Sequence, residues 1–174
     1  MTVESQELWF RTHREGEILD ITNKTQSIVE SSKMKNGVAT LFVPGSTGAL
    51  TTIEFEPGLL ADFPLALERL APKDAPYEHE NSWHDGNGHS YVRASMIGPN
   101  LSVPFLDKKL ALGTWQQIVF LELDVRPRDR TVMSNQLENN RSWTRTPLLP
   151  LEPCQGLTKK SPFLSRCTEF EMNW

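Results

Sequence analysis

The stretch LGTWQQIVFLELDVRPRDR, residues 112–130, carries the strongest fold information in the chain. Within it, residues 118–125 begin apolar at successive positions and then alternate apolar residues with Glu122 and Asp124. This pattern is typical of a β-strand whose first half is buried on both faces and whose second half leaves the core. The arginine-rich residues that follow, 126–130, are therefore expected to form a solvated basic end.

Two glycine-punctuated stretches precede it, VPGSTGALTTIEFEPGLLADF at 43–63 and DGNGHSYVRASMIGPNLSVPF at 85–105. Around them, short apolar runs bounded by turn residues predict strands, and apolar residues at helical spacing predict helices. The expected strands lie at residues 17–22, 39–43, 51–55, 101–105 and 110–112, and the expected helices at 23–36 and 57–70. The polar segment 77–88 is expected to be a loop of the kind that carries functional residues.

Length and composition limit the class of protein. With 174 residues and 38% hydrophobic content, the chain can bury one sizeable core, which predicts one domain. The net charge of −4 leaves no basic excess, so nucleic acid is not expected as a partner. No apolar run reaches the roughly 18 residues that cross a bilayer, and the first residues lack the charged-then-apolar pattern of a signal sequence, which predicts a cytoplasmic protein without a membrane partner. Cys154 and Cys167 are expected to be reduced thiols without a catalytic role.

The character of the sequence changes after Met133. Prolines are scattered through residues 134–174, and no hydrophobic period is sustained there. We therefore expect a domain at 1–133 and a C-terminal extension at 134–174 with little ordered structure. The aromatic and leucine residues of the extension leave a second interpretation, in which it packs on the domain surface or on a partner.

Imidazole and carboxylate side chains cluster in the polar segment, at His79, Glu80, His84, Asp85 and His89. These groups suffice for a zinc site or a general acid–base pair, although their spacing matches no zinc signature. The alternative is a glycine-rich turn whose polar side chains bond their own backbone, since the segment contains the turn dipeptides Asp-Gly and Asn-Gly.

A second candidate feature is the loop Pro-Gly-Ser-Thr-Gly at residues 44–48, which follows an expected strand. Its backbone N–H groups and the hydroxyls of Ser46 and Thr47 suit a phosphate-binding loop, and Arg93 could add a bidentate contact. The alternative for the loop is a tight turn between strands, and the alternative for Arg93 is a solvated surface position.

Paired carboxylates and an indole form the remaining candidates. Glu54 and Glu56 alternate with apolar neighbours, so both are expected on one face of a strand, where they could hold Mg²⁺ or stand in solvent. Trp115 and Gln116 begin the last strong strand, where the indole is expected to seal a core or a subunit contact. Gln116 is expected either to orient a ligand or to bond nearby backbone.

Taken in order, the three glycine-punctuated stretches resemble the YjbQ-like family, the secondary thiamine-phosphate synthase enzyme group. The resemblance runs from about residue 5 to 133, and LGTWQQI followed by an apolar strand is its most specific part. It implies an α+β fold, a largely antiparallel β-sandwich or curved double sheet with two or three helices, and a homotrimer. The residues that match the family pattern are Thr47, Leu50, Glu54, His79, Asp85, Asn87, Trp115 and Gln116.

The chain departs from this family at two positions. Members typically carry histidines where this sequence has Gly45 and Tyr91. A metal held by those two histidines therefore cannot be carried over, and His84 or His89 would have to substitute.

The resemblance implies a weak thiamine-phosphate synthase-type transferase that acts on small phosphorylated molecules. Zn²⁺ or Mg²⁺ would be held by residues drawn from Glu54, His79, Asp85 and His89. The implied catalytic residues are His79, Asp85 and His89, and the implied substrate-binding residues are Ser46, Thr47, Asn87, Arg93 and Gln116. Two alternatives use the same groups: a non-catalytic trimeric ligand-binding module and a metal-dependent hydrolase of a small phosphorylated compound.

Overall fold

The structure, a computed structural model, describes residues 2–138. Its strands are β1 (Val3–Arg11), β2 (Ile18–Asp20), β3 (Gly37–Phe42), β4 (Gly48–Ile53), β5 (Asn100–Leu106), β6 (Lys109–Leu110), β7 (Gln117–Glu122) and β8 (Asp129–Glu138). Its helices are α1 (Thr22–Ser31), α2 (Pro57–Leu70), α3 (Glu80–Trp83, a single turn) and α4 (Gly88–Ile97).

The strands of this region form two antiparallel sheets. The larger has the order β1-β8-β3-β5-β6, and the smaller has the order β2-β7-β4. Every strand pair that residues 2–138 form is antiparallel. The predicted α+β class with curved antiparallel sheets is therefore confirmed. None of the helices formed by the described residues is long and apolar enough to cross a lipid bilayer.

The central strand β7 contributes to hydrophobic clusters on both of its faces. Ile118 and Phe120 pack into a cluster with residues of the larger sheet, including Leu41 and Val132. The alternate residues of β7 belong to a second cluster built with helices α2 and α4, formed by Ala49, Leu67, Ala94, Val119, Leu121 and Leu123. Burial on both faces explains why the strand reads as continuously apolar, because successive side chains point to opposite sides of a sheet.

Two strands, β1 and β8, and two helices, α3 and α4, were not predicted from the sequence, and the single turn of α3 lies within the segment 77–88 that was expected to be a loop. β1 has only Leu8 buried, and it is a strand because it pairs with β8 along its whole length, from Val3 with Leu137 to Arg11 with Asp129. β8 itself passes through the expected domain boundary at Met133 and ends at Glu138. The predicted extension beyond that point, residues 139–174, lies outside the described residues. Helix α4 lacks a clear apolar period because much of its buried face is polar.

The expected pair of carboxylates at Glu54 and Glu56 is not formed on a strand. β4 ends at Ile53, and Glu56 is instead the residue that precedes α2. Its carboxylate accepts hydrogen bonds from the backbone N–H groups of Gly58, at 2.7 Å, and Leu59. Glu56 therefore caps the helix, which offsets the unpaired N–H groups of its first turn.

Candidate functional site

The far end of β7 carries a buried ion pair between Glu122 and Arg130. The Glu122 carboxylate is fully buried, and Arg130 retains 8% of its surface. Arg130 donates from Nε to Oε2 at 2.7 Å and from Nη2 to Oε1 at 2.5 Å, and the Thr12 hydroxyl donates to Oε2 at 2.8 Å. The prediction that this end of the strand leaves the core is therefore wrong for Glu122 and Arg130, since their bidentate pairing compensates for the loss of hydration.

A second carboxylate continues this network into the loop at residues 44–48. Nε of Arg128 donates to Oδ2 of Asp124 at 2.8 Å, Nη2 of Arg128 lies 2.8 Å from the same oxygen, and the Thr47 hydroxyl donates to it at 3.1 Å. Thr47 in turn accepts a hydrogen bond from Nη2 of Arg130 at 2.9 Å. The Thr47 side chain thus joins the two ion pairs and holds the loop against the end of β7, where Asp124 is also buried rather than solvated.

The network is expected to make the fold sensitive to acid. Burial opposes ionisation of Asp124, but the backbone N–H of Arg126 and the side chains of Arg128 and Thr47 outweigh burial and lower the pKa of Asp124 below its ordinary value. A depressed folded pKa contributes stability above the unfolded value of about 3.9, and this contribution is lost as the pH falls through the folded pKa.

We expect Asp124→Asn to lower the free energy of unfolding at pH 7 by about 1–3 kcal/mol, because charge-assisted hydrogen bonds are lost. Below about pH 4, where the wild-type protein loses the same contribution, the two proteins should converge. Urea unfolding at pH values from 7 to 2 tests this expectation, with the exposed Asp62→Asn as the control. Curves for wild type and Asp124→Asn that stay parallel across this range would contradict it.

An open cleft of about 250 Å³ lies beside the same loop. It is lined by Gly45, Ser46, Gly48, Tyr91, Ala94, Ser95 and Pro99. The loop connects β3 to β4, and Tyr91, Ala94 and Ser95 come from α4, so the wall combines a strand connection with a helix face. Gly45 and Tyr91, the positions where the resemblance expects histidines, both line this cleft.

Tyr91, which lines the cleft, also contacts a cluster of three predicted polar residues. One ligand atom each from His79, Glu80 and Asp85 lies within 4.8 Å of the others. Nε2 of His79 lies 3.3 Å from Oδ1 of Asp85, but the approach is outside hydrogen-bond geometry, and this buried atom has no hydrogen-bond partner among the described residues. The Tyr91 ring packs 4.5 Å from the His79 ring, and its hydroxyl donates to Oδ2 of Asp85 at 3.3 Å.

Backbone N–H groups hold both carboxylates of this cluster in the ionised form. The N–H groups of Gly86 and Gly88 each donate to Glu80 at 2.9 Å and lower the pKa of its carboxyl. The N–H of Asn87 donates to Asp85 at 2.9 Å and lowers the pKa of that carboxyl. The glycine-rich turn that the sequence offered as one alternative is therefore present, and its backbone N–H groups bind both carboxylates.

His89 and Arg93 lie on the buried face of α4, where they form a second polar group apart from this cluster. Nε2 of His89 is 2.6 Å from Oε1 of Glu15, and its side chain is buried. Arg93 donates from Nε and Nη2 to the carbonyl oxygen of Ala71, at 3.0 and 2.8 Å, and from Nη2 to Glu68 at 2.5 Å. These contacts attach α4 to the C-terminal end of α2.

The remaining predicted residues lie outside the cluster of His79. Asn87 is buried, and its side-chain oxygen accepts the N–H of Val125 at 3.1 Å. Gln116 is exposed and accepts the N–H of Gly113 at 2.9 Å, whereas Trp115 keeps 69% of its surface and seals no core in the described region. Glu54 is exposed and does not belong to the cluster of His79.

Sequence reasoning missed the contributions of Thr12, Glu122, Asp124, Arg128 and Arg130. One signal is present in the sequence, because the two acidic residues of the expected strand at 118–125 are followed within eight positions by arginines. By itself this pattern indicates a solvated end, since charged residues are seldom fully buried unless they are paired. Thr12, which donates to Glu122, follows β1 and lies far from Glu122 in the sequence, so no local pattern indicates this contact.

The chain is similar to known proteins of a single family. The profile of the family described as UPF0047 protein YjbQ-like matches residues 6–139. A UPF0047 protein of Methanothermobacter thermautotrophicus is 41% identical over 132 residues, which cover 76% of this chain and 90% of the relative. A UPF0047 protein of Archaeoglobus fulgidus is 39% identical over 131 residues, which cover 75% of this chain and 99% of the relative.

Solved structures show the same similarity. A YbjQ-like protein of unknown function from Sulfolobus solfataricus superposes with a TM-score of 0.75 at 31% identity, over 79% of this chain and 99% of that one. An uncharacterised conserved protein of the yjbq/upf0047 family from Clostridium acetobutylicum has a TM-score of 0.69 at 32% identity, over 76% of this chain and 99% of that one.

Proposed function

Because the chain belongs to the UPF0047 YjbQ-like family, we propose that it is an enzyme that acts on small phosphorylated compounds with a divalent cation. The reaction is of the thiamine-phosphate synthase type: a pyrimidine diphosphate joins a thiazole phosphate through a new carbon–nitrogen bond, and pyrophosphate leaves. The substrate lies in the cleft between the loop at 44–48 and α4.

The observation that carries the proposal is the cluster of His79, Glu80 and Asp85, whose ligand atoms lie within 4.8 Å of one another. Tyr91 connects this cluster to the cleft, because its hydroxyl contacts Asp85 and its side chain lines the cleft wall. A polar cluster next to an open cleft is the usual arrangement of a binding site.

The donor set fits a cation. One imidazole nitrogen and two ionised carboxylates are the ligand types that Zn²⁺ accepts, and the nitrogen makes Zn²⁺ a better match than Mg²⁺, which prefers oxygen. The Nε2 atom of His79 is buried without a hydrogen-bond partner in the described region, as a ligand atom would be. A bound cation would stabilise negative charge on the phosphoryl oxygens.

The protein's own groups bind and orient the substrate. Burial and the negative charge of Asp85 raise the pKa of Tyr91, so its hydroxyl stays protonated and keeps the Asp85 carboxylate oriented. Ser46 is exposed on the cleft wall and can donate its hydroxyl to a phosphoryl oxygen. Such chemistry depends mainly on positioning and charge stabilisation, so a small set of residues is sufficient.

Zinc binding tests the proposal. We expect the full-length protein to bind Zn²⁺, and His79→Ala and Asp85→Asn each to weaken that binding by at least about 10- to 100-fold, the loss typical even of groups that only support metal ligands. Isothermal titration calorimetry measures the affinity. His84→Ala is the matched control, because His84 is an exposed neighbour outside the cluster.

Two results would contradict the metal assignment: no saturable zinc binding by the wild type, or an equal loss in His84→Ala and His79→Ala. Turnover is measured separately as pyrophosphate release from the two phosphorylated substrates. Folded His79→Ala and Asp85→Asn variants that keep full turnover would exclude the proposed roles.

A second candidate function is a non-catalytic, trimeric module that binds the same ligands. It is favoured by Gly45 and Tyr91, since neither residue gives the cleft wall an imidazole. Binding of both substrates without pyrophosphate release, at any zinc concentration, would support this candidate over the enzyme. Sedimentation velocity at several protein concentrations tests the trimer.

A further inference from the structure

Arg130 has hydrogen-bond donors that the ion-pair network does not use. A guanidinium carries five N–H groups, and the Nε and Nη2 groups of Arg130 donate to Glu122 and Thr47. The two N–H groups on Nη1 donate to no residue from 2 to 138, although the arginine is about nine-tenths buried. Nη1 is not among the fully buried atoms that lack a partner, so these two donors reach the surface, where water or a bound species accepts from them.

Gly45 brings Nη1 next to the cleft. A Cβ atom added to Gly45 would lie 3.2 Å from Nη1 of Arg130, closer than a relaxed van der Waals contact. Gly45 also lines the cleft wall. Because this residue has no side chain, nothing at position 45 covers the free edge of the guanidinium.

The loop itself offers further donors at the same place. The backbone N–H groups of Gly45 and Ser46 donate to no backbone or side-chain acceptor in the described part of the chain. The Ser46 hydroxyl is likewise without a hydrogen-bond partner among those residues, and it is exposed on the cleft wall. Successive backbone N–H groups, a hydroxyl and an arginine edge are a combination that binds oxyanions.

The surrounding charges set the expected strength of binding. Glu122 neutralises Arg130, and Asp124 neutralises Arg128, so the network has no net charge. Affinity then comes from fixed donors rather than from excess positive potential. The guanidinium cannot reorient, because two ion-pair bonds and Thr47 hold it, and this preorganisation lowers the entropic cost of binding.

We propose that Nη1 of Arg130, together with the Ser46 hydroxyl and the loop N–H groups, forms a subsite for a phosphoryl oxyanion at Gly45. The subsite supplies the phosphate anchor of the proposed function and rests on that function for the assignment of a phosphorylated ligand. Arg93, the arginine expected from sequence to bind phosphate, has its Nε and Nη2 groups engaged by Ala71 and Glu68.

Anion binding without metal tests the subsite. The full-length protein is titrated in EDTA with inorganic phosphate, pyrophosphate and glycerol phosphate, at constant ionic strength adjusted with chloride, and binding is followed by ³¹P line broadening and by the melting temperature. We expect saturable binding of all three. Gly45→Asp should weaken it by at least about tenfold, the worth of one charge-assisted hydrogen bond, because the tethered carboxylate occupies the guanidinium edge.

Ser46→Ala should weaken binding by a smaller factor, and Arg126→Gln, which removes an exposed arginine, should leave it unchanged. Ser46→Ala removes no partner of the buried ion pair and is expected to melt near the wild-type temperature without phosphate. The Cβ of Gly45→Asp meets Nη1 at 3.2 Å, so phosphate binding by this variant is measured well below its own melting temperature. Absence of saturable binding, or equal binding by wild type and Gly45→Asp, would overturn the subsite. Because EDTA is present, failure of zinc binding leaves this result unaffected, and anion binding without zinc binding would separate the two proposals.

Discussion

Replacing Arg130 by methionine is expected to lower the free energy of unfolding by about 3–5 kcal/mol, the cost of leaving a buried charge without its partner. Glu122 loses the hydrogen bonds from Nε and Nη2, and its carboxylate has no access to water. Thr47 also loses the donor that joins the loop at 44–48 to the network. The loop should therefore become more mobile even where the variant still folds.

Urea unfolding at pH 7 measures this loss, with Arg126→Met as the control because Arg126 is exposed. Adding Glu122→Gln to Arg130→Met should restore part of the stability, since the amide oxygen can accept the Asp124 N–H and the amide N–H can donate to the Thr12 hydroxyl without a buried charge. A loss of no more than about 0.5 kcal/mol for Arg130→Met, the range of ordinary surface changes, would contradict the importance of the pair.

Phe120→Ala is expected to cost about 3–5 kcal/mol, the range for removal of a buried aromatic ring. The Phe120 side chain is fully buried in the cluster between β7 and the larger sheet, and its ring meets Phe10 edge-on at 5.0 Å. The guanidinium of Arg130 lies 5.9 Å from the ring centroid. The substitution therefore opens a cavity in the core and removes an aromatic surface beside the ion pair.

Thermal and urea unfolding measure the effect, with Leu70→Ala as the control because Leu70 is 65% exposed. The control should change stability by no more than about 0.5 kcal/mol. Phe120→Leu, which fills part of the cavity, should fall between Phe120→Ala and the wild type. Equal stability of Phe120→Ala and Leu70→Ala would show that this cluster does not hold the sheets together.

Much of the fold was predictable because its signals are local. The apolar run of β7, the helix that begins at Pro57 and the hairpin between β5 and β6 all appear where the sequence predicts them. β1 and α4 were missed for different reasons: β1 depends on its pairing with β8, and α4 buries polar side chains. Hydrophobic periodicity detects neither case, since it measures only apolar faces.

The candidate site was predictable in its parts but not in its grouping. Sequence spacing put five polar residues in one loop, and the structure brings together three of them, His79, Glu80 and Asp85. His89 falls on the buried face of α4 and meets Glu15, which lies 74 positions away. A contact over such a separation depends on how helices and sheets pack, so no local pattern predicts it.

The sequence by itself determined the family, the α+β class and the loop that carries the polar cluster, because each is encoded by residues close together in the chain. Only the tertiary structure decided that Glu122, Asp124 and Arg130 are buried, that Gly45 leaves the edge of a guanidinium uncovered beside a cleft, and that Arg93 joins two helices. The physical reason is that a charged side chain leaves water only when a partner compensates for its lost hydration, and the partners here come together only on folding.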